Sequence, residues 1–71
     1  MIRPPTPLAR LRLEAGLSQR EVAEALSIHQ GQLSKIESGK RGLAGHAAPL
    51  ARIYGVSERE IHAAAASMEL T

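Results

Sequence analysis

The sequence predicts an all-α domain of five short helices, and three observations carry that expectation. The apolar residues, 44% of the chain, are nearly all Leu, Ile, Val and Ala, with Tyr54 the single aromatic. An aliphatic, alanine-rich set with few β-branched runs suits helices packed on helices. Those residues recur three and four apart, the spacing of one helix face. Finally, Ser or Thr starts and Gly stops punctuate the chain at helix-length intervals.

Taken in order, "MIRPP" (residues 1–5) reads as a loose tail, and residues 6–71 as one domain. Thr6-Pro7 is a cap followed by proline at the first helical position, where the missing N–H costs nothing. Leu8, Leu11 and Ala15 form the stripe of this helix, and Gly16 closes it at the position where a left-handed residue is needed. Ser18 opens a second helix, with Glu21 three residues on to complete a capping box; Val22, Ala23 and Leu26 are its apolar face. A third helix runs from about His29 to Ser38 with Leu33 and Ile36 inward, and Gly39 stops it before the basic turn "GKRG". In the fourth segment Leu50, Ile53 and Tyr54 suit a helix, but Pro49 is tolerable only if that helix starts near Gly45 or later. A short or distorted helix ending at Gly55 is expected. Ser57 and Glu60 then open a fifth helix, with Ile61, Ala64, Ala65 and Met68 on one face.

Composition excludes several classes. A chain of 71 residues is one domain. A chain this short buries only about 60% of its unfolded surface, so self-association is an attractive source of added stability. There is no Cys and no Asp, and the three His (His29, His46, His62) are scattered. No disulfide, metal site, cofactor or catalytic pattern is therefore expected, and no enzyme activity. No stretch approaches the roughly 20 apolar residues that cross a bilayer, and the N-terminus lacks a signal-peptide core; a soluble cytoplasmic protein is the expectation. The net charge is only +2, but residues 1–42 hold seven Lys or Arg against four Glu, and residues 43–71 two against three. A basic N-terminal half points to an anionic partner.

The second and third helices are separated by about three residues, so they can pack crosswise only through a compact turn. That is the helix-turn-helix unit, whose second helix enters the DNA major groove. Residues 8 to about 61 resemble the phage-repressor-like and Cro-like helix-turn-helix domains, regulators of the xenobiotic-response-element type. The resemblance rests on Gly16-Leu17-Ser18-Gln19, Val22-Ala23, Leu26, Ile28, Leu33-Ser34, Ile36-Glu37 and Gly39-Lys40, with "IYGVS" before an acidic helix start in the distal part. It implies a compact five-helix, lambda-repressor-like fold. Leu17, Val22, Leu26, Ile28, Leu33 and Ile36 can wedge the two helices at a fixed angle, and Ala23 is small where they cross. Ser27 stands where the family usually has glycine in the turn; if it must be left-handed, serine costs about 1 kcal/mol. Arg12 and Glu37 match positions that form a structural ion pair in related repressors.

The third helix is expected to show Gln30, Gly31, Gln32, Ser34 and Lys35 outward, a set with no acidic group to repel phosphate. Gln suits adenine N6 and N7, and Lys suits guanine O6 and N7; Gly31 permits close backbone approach. By resemblance Gln30, Gly31 and Lys35 fall at base-facing positions, with Gln32 and Ser34 on the flank. Gln19 matches a position that contacts phosphate and braces the first recognition glutamine. Lys40 and Arg41 are expected at the phosphate backbone, with Arg20 a further candidate and His29 either capping, facing water or touching phosphate.

The leading reading is a sequence-specific regulator of double-stranded DNA, a repressor acting as a homodimer on half-sites about one helical turn apart. Ala64, Ala65, Met68 and Leu70 are the expected dimer surface, since the alanine run lets two helices approach closely. Leu13, off the main stripe, is a candidate for cover by the C-terminal tail. Small proteins of this shape include phage repressors, restriction-modification controllers and antitoxins. The alternative is therefore an antitoxin or adaptor whose last helix holds a partner protein, such as a toxin or antirepressor.

Overall fold

The computed structural model describes residues 5–43 and 45–68, the Met68 side chain excepted. The described residues form five α-helices: α1 (Pro7–Glu14), α2 (Gln19–Leu26), α3 (Gln30–Glu37), α4 (Ala47–Tyr54) and α5 (Glu58–Met68). There is no strand among them. The all-α expectation is met, with every expected helix present.

The start signals work as their chemistry requires. Thr6 Oγ1 accepts from the Ala9 N–H at 3.2 Å, with Pro7 at the first helical position. Ser18 and Glu21 form both halves of a capping box: Glu21 N–H donates to Ser18 Oγ at 3.1 Å, and Ser18 N–H to Glu21 Oε1 at 3.0 Å. Ser57 Oγ accepts from the Glu60 N–H at 3.1 Å, capping α5. Pro49 sits in the first turn of α4, three residues after His46, the N-cap. The N–H it lacks is one of the donors a helix start leaves unpaired anyway. The first bond of that helix, Leu50 N–H to the His46 carbonyl at 2.9 Å, forms immediately after it. The helix is short and regular, not distorted.

Between α2 and α3, Ser27 adopts φ 58° and ψ 41° and is the single non-glycine residue with positive φ among those described. Ile28 N–H reaches back to the Ala23 carbonyl at 3.0 Å, the long bond of a Schellman turn. That turn reverses the chain within three residues and forces α3 across α2. Leu8, Val22, Leu33, Ile36, Leu50 and Ile61 are fully buried, one or more from each helix, so a single core is shared by all five. Each is worth about 1.5–3 kcal/mol of burial. Ala23 is buried in this core, where a larger side chain would crowd its neighbours.

Some expectations shift by position. Val22, Leu33 and Ile36 form the wedge, whereas Leu17, Leu26 and Ile28 pack half-buried at its rim. Ala15 falls on the helical stripe but is exposed, because α1 has already ended at Glu14 and the chain is turning away. Leu13 is 54% exposed. Its suggested cover, the tail after Met68, lies outside the described residues, as do Leu70 and residues 1–4 of the N-terminal tail.

Candidate nucleic-acid interface

The outer side of α3 follows from its period of about 3.6 residues per turn. Leu33, Ile36 and Glu37 are buried against the core, which leaves Gln30, Gly31, Ser34 and Lys35 exposed together. Gln32 is half-buried and differs from a fully outward placement: its Oε1 accepts the His29 N–H at 3.0 Å and so caps the helix. His29 itself is exposed at the N-cap. A Cβ built on Gly31 would meet nothing within 4 Å, so packing inside the protein does not demand glycine there.

The basic turn is fixed to the end of α3. The N–H groups of Lys40 and Arg41 both donate to the Lys35 carbonyl, at 3.0 and 3.2 Å, and both side chains are exposed. At the start of α2, the capping box occupies the N–H groups of Ser18 and Glu21. Those of Gln19 and Arg20 have no partner among the described residues, as at any helix N-terminus, a natural position for phosphate. The Arg20 side chain pairs with Glu24 one turn along at 3.1 Å, both largely exposed. Such a pair is weak and readily exchanged for another anion.

Under this surface lies a polar chain that sequence reading located only in part. Arg12 Nε donates to Glu37 Oε2 at 2.8 Å, and their side chains are 12% and 5% exposed. Arg12 also donates from a terminal nitrogen to the Leu17 carbonyl at 2.8 Å. Glu37 Oε1 accepts from Gln19 Nε2 at 2.9 Å, and Gln19 Oε1 accepts from Gln30 Nε2 at 3.5 Å. Thr6 Oγ1 donates to the Glu37 backbone carbonyl, tying the start of α1 to the end of α3. Neither the Thr6 tie nor the Arg12 bond to Leu17 had a sequence signal beyond the polar character of the residues. The link from Gln19 to Glu37 joins residues 18 apart in sequence and on different helices. Tyr54 lies below, buried, and its hydroxyl has no hydrogen-bond partner among the described residues. Burial, and then the negative charge of nearby Glu37, push that hydroxyl well above the usual phenol range, with Arg12 opposing.

Two crossed helices, a left-handed compact turn and an acid-free outer face are the geometry of one known module. The family model described as a helix-turn-helix domain matches residues 7–64. The chain belongs to the helix-turn-helix domain family. No curated protein and no solved structure matches it. Membership marks this helix-turn-helix protein as a DNA-binding regulator of a family that is typically non-enzymatic. No helix among the described residues is long and apolar enough to cross a membrane.

Of the remaining expected residues, Ala64, Ala65 and Met68 lie on α5, and Leu70 lies outside the described residues. Ala64 and Ala65 are half-buried and pack against the protein's own core, while Ala63 and Ala66 are exposed. Pro5, Pro7, Leu11, Ala63 and Ala64 line an apolar groove of about 350 Å³ between α1 and α5, edged by Arg10 and Glu60.

Proposed function

We propose that this helix-turn-helix protein is a sequence-specific transcriptional repressor that binds an inverted-repeat operator as a homodimer. In this reading α3 enters the major groove. Gln30, Gly31 and Lys35 face bases, with Gln32 and Ser34 on the flank, Gln32 through the amide group its cap leaves free. Gln19, Arg20, His29, Lys40 and Arg41 meet the phosphate backbone and set register without reading sequence. The observation that carries the reading is the joint exposure of Gln30, Gly31, Ser34 and Lys35 on a face without an acidic residue. The exposed basic turn of Lys40 and Arg41, tethered to that helix, supports it.

One such helix gives limited affinity, and two-fold pairing supplies the second half-site. Helix α5, with Ala64, Ala65, Met68 and the following Leu70, is the surface proposed for pairing; the exposed apolar Leu13 is a further patch a partner chain would cover. The apolar groove between α1 and α5 favours one second reading, an antitoxin or adaptor that holds another protein there.

Selection of bound sites from a random duplex pool, with the mass measured in solution, tests both. An inverted repeat and a mass twice 7.6 kDa are expected. No enriched sequence, together with a stoichiometric foreign chain on purification, would replace the first reading by the second.

A further inference from the structure

We infer that Glu37, besides pairing with Arg12, dictates which way round the Gln30 amide is presented to DNA, acting through Gln19. The inference rests on the reading of Gln30 as a base-facing residue and adds to it a cause for its specificity.

The argument runs outward from the core by donor and acceptor chemistry. In its ion pair with Arg12 the Glu37 carboxylate has only acceptors to offer. The Gln19 atom 2.9 Å from Glu37 Oε1 must therefore be its NH₂ group. That turns the Gln19 carbonyl oxygen the other way, toward Gln30. A carbonyl oxygen needs a donor, and the Gln30 atom facing it, at 3.5 Å, is Nε2. The Gln30 oxygen is left on the far side of the amide. Each step allows one orientation only, because a flip anywhere sets two acceptors or two donors against each other. Arg12 anchors the inner end through its second bond, to the Leu17 carbonyl. The outermost link is at the long limit of a hydrogen bond, which lets the exposed Gln30 side chain adjust to a base while keeping its polarity.

Polarity matters because a glutamine reads adenine by accepting from N6 and donating to N7 together. With the amide reversed both contacts to adenine are mismatched, while guanine, with two acceptors, meets one donor either way round, so the discrimination between the two bases falls. Glu37 is thus a positioning residue. It touches no base and decides, two hydrogen bonds away, which order of donor and acceptor Gln30 offers.

The test uses the whole chain and two variants. Glu37→Gln is nearly isosteric; with its oxygen held by the Arg12 donor it turns an NH₂ toward Gln19, so it reverses the constraint. Gln19→Met removes the middle of the chain and leaves Arg12 and Glu37 paired. In the free protein, the side-chain amide NMR signals of Gln30 should shift in both variants relative to the parent. In the duplex selection, both should lose preference at the same single base pair by about fivefold, the factor of one net hydrogen bond, and keep it elsewhere. If Glu37→Gln fails to fold, the Gln19→Met results decide alone. Unmoved Gln30 amide signals would overturn the relay whether or not the parent binds DNA. Uniform weakening of all sites with every preference kept would also overturn it, leaving Glu37 a purely structural role. A parent that enriches no sequence would instead remove the base-reading role of Gln30, and with it this inference.

Discussion

Replacing Ser27 by Gly should make this protein more stable, by an amount set by one dihedral angle. Ser27 holds φ 58° at the turn between α2 and α3. A residue with a Cβ pays about 1–2 kcal/mol to stay left-handed, because that carbon crowds the following carbonyl. Glycine escapes this but gains freedom in the unfolded chain, which costs about 0.5–1 kcal/mol. The difference favours glycine by about 0.5–1 kcal/mol. Nothing offsets it: Ser27 is exposed, and its hydroxyl makes no hydrogen bond among the described residues. In a domain of this size about 1 kcal/mol moves the melting midpoint by about 4–8 °C, so a rise of several degrees is expected for Ser27→Gly. Ser27→Ala, which keeps the Cβ, should show none. Thermal unfolding followed by far-ultraviolet circular dichroism reads both. A midpoint for Ser27→Gly at or below the parent's would refute the argument that this turn is strained by its side chain.

Gly31→Ala should raise stability by about 0.5–1 kcal/mol, since alanine is the better helix former and its methyl meets open space, yet weaken operator binding. Denaturation and a DNA titration on one sample would show whether the two move in opposite directions. Lys35→Ala should cost about 1–3 kcal/mol of DNA affinity and relax one base pair, whereas Lys40→Ala or Arg41→Ala should weaken all sequences alike and lower the salt slope by about one; unchanged affinity and preference for Lys35→Ala would mean the reading face lies elsewhere. For Tyr54 the neutral phenol is the form the fold favours, so its contribution is intact below the ordinary value of 10.0 and is lost as pH rises past it. Tyr54→Phe should lessen that alkaline loss in paired denaturant titrations.

The fold was legible because its signals are local. Thr6-Pro7, Ser18 with Glu21, and Ser57 with Glu60 each declare a helix start through bonds three residues long, and the apolar spacing between them names the inward face. Pro49 was readable for the same reason, as a constraint on where α4 could begin. The outer face of α3 followed from its inner one. Contacts between elements were not legible from the residues alone: the Arg12–Glu37 pair and the Gln19–Gln30 brace were expected only from the resemblance. The Thr6 hydroxyl reaching Glu37, and Gln19 bonding Glu37 instead of standing free, depend on where α1 and α2 lie against α3. The partial inward turn of Gln32 arises from competition: its carbonyl can face outward or cap His29, and the unpaired N–H at a helix start wins.

Ser27 and Gly31 both depart from what the local backbone prefers, and comparing them separates two kinds of departure. At Ser27 a left-handed residue carries a side chain that gains nothing, so correcting it should cost no contact. At Gly31 a helical residue lacks a side chain that it has room for. No neighbour among the described residues fills that gap. A benefit must then come from outside, and Gly31 sits beside Gln30 on the face proposed to approach DNA. Natural chains often give up stability where function needs the space. If Gly31→Ala stabilised the fold and left operator affinity untouched, the gap would serve nothing, and the proposed close approach of the α3 backbone to a duplex would lose its best internal support.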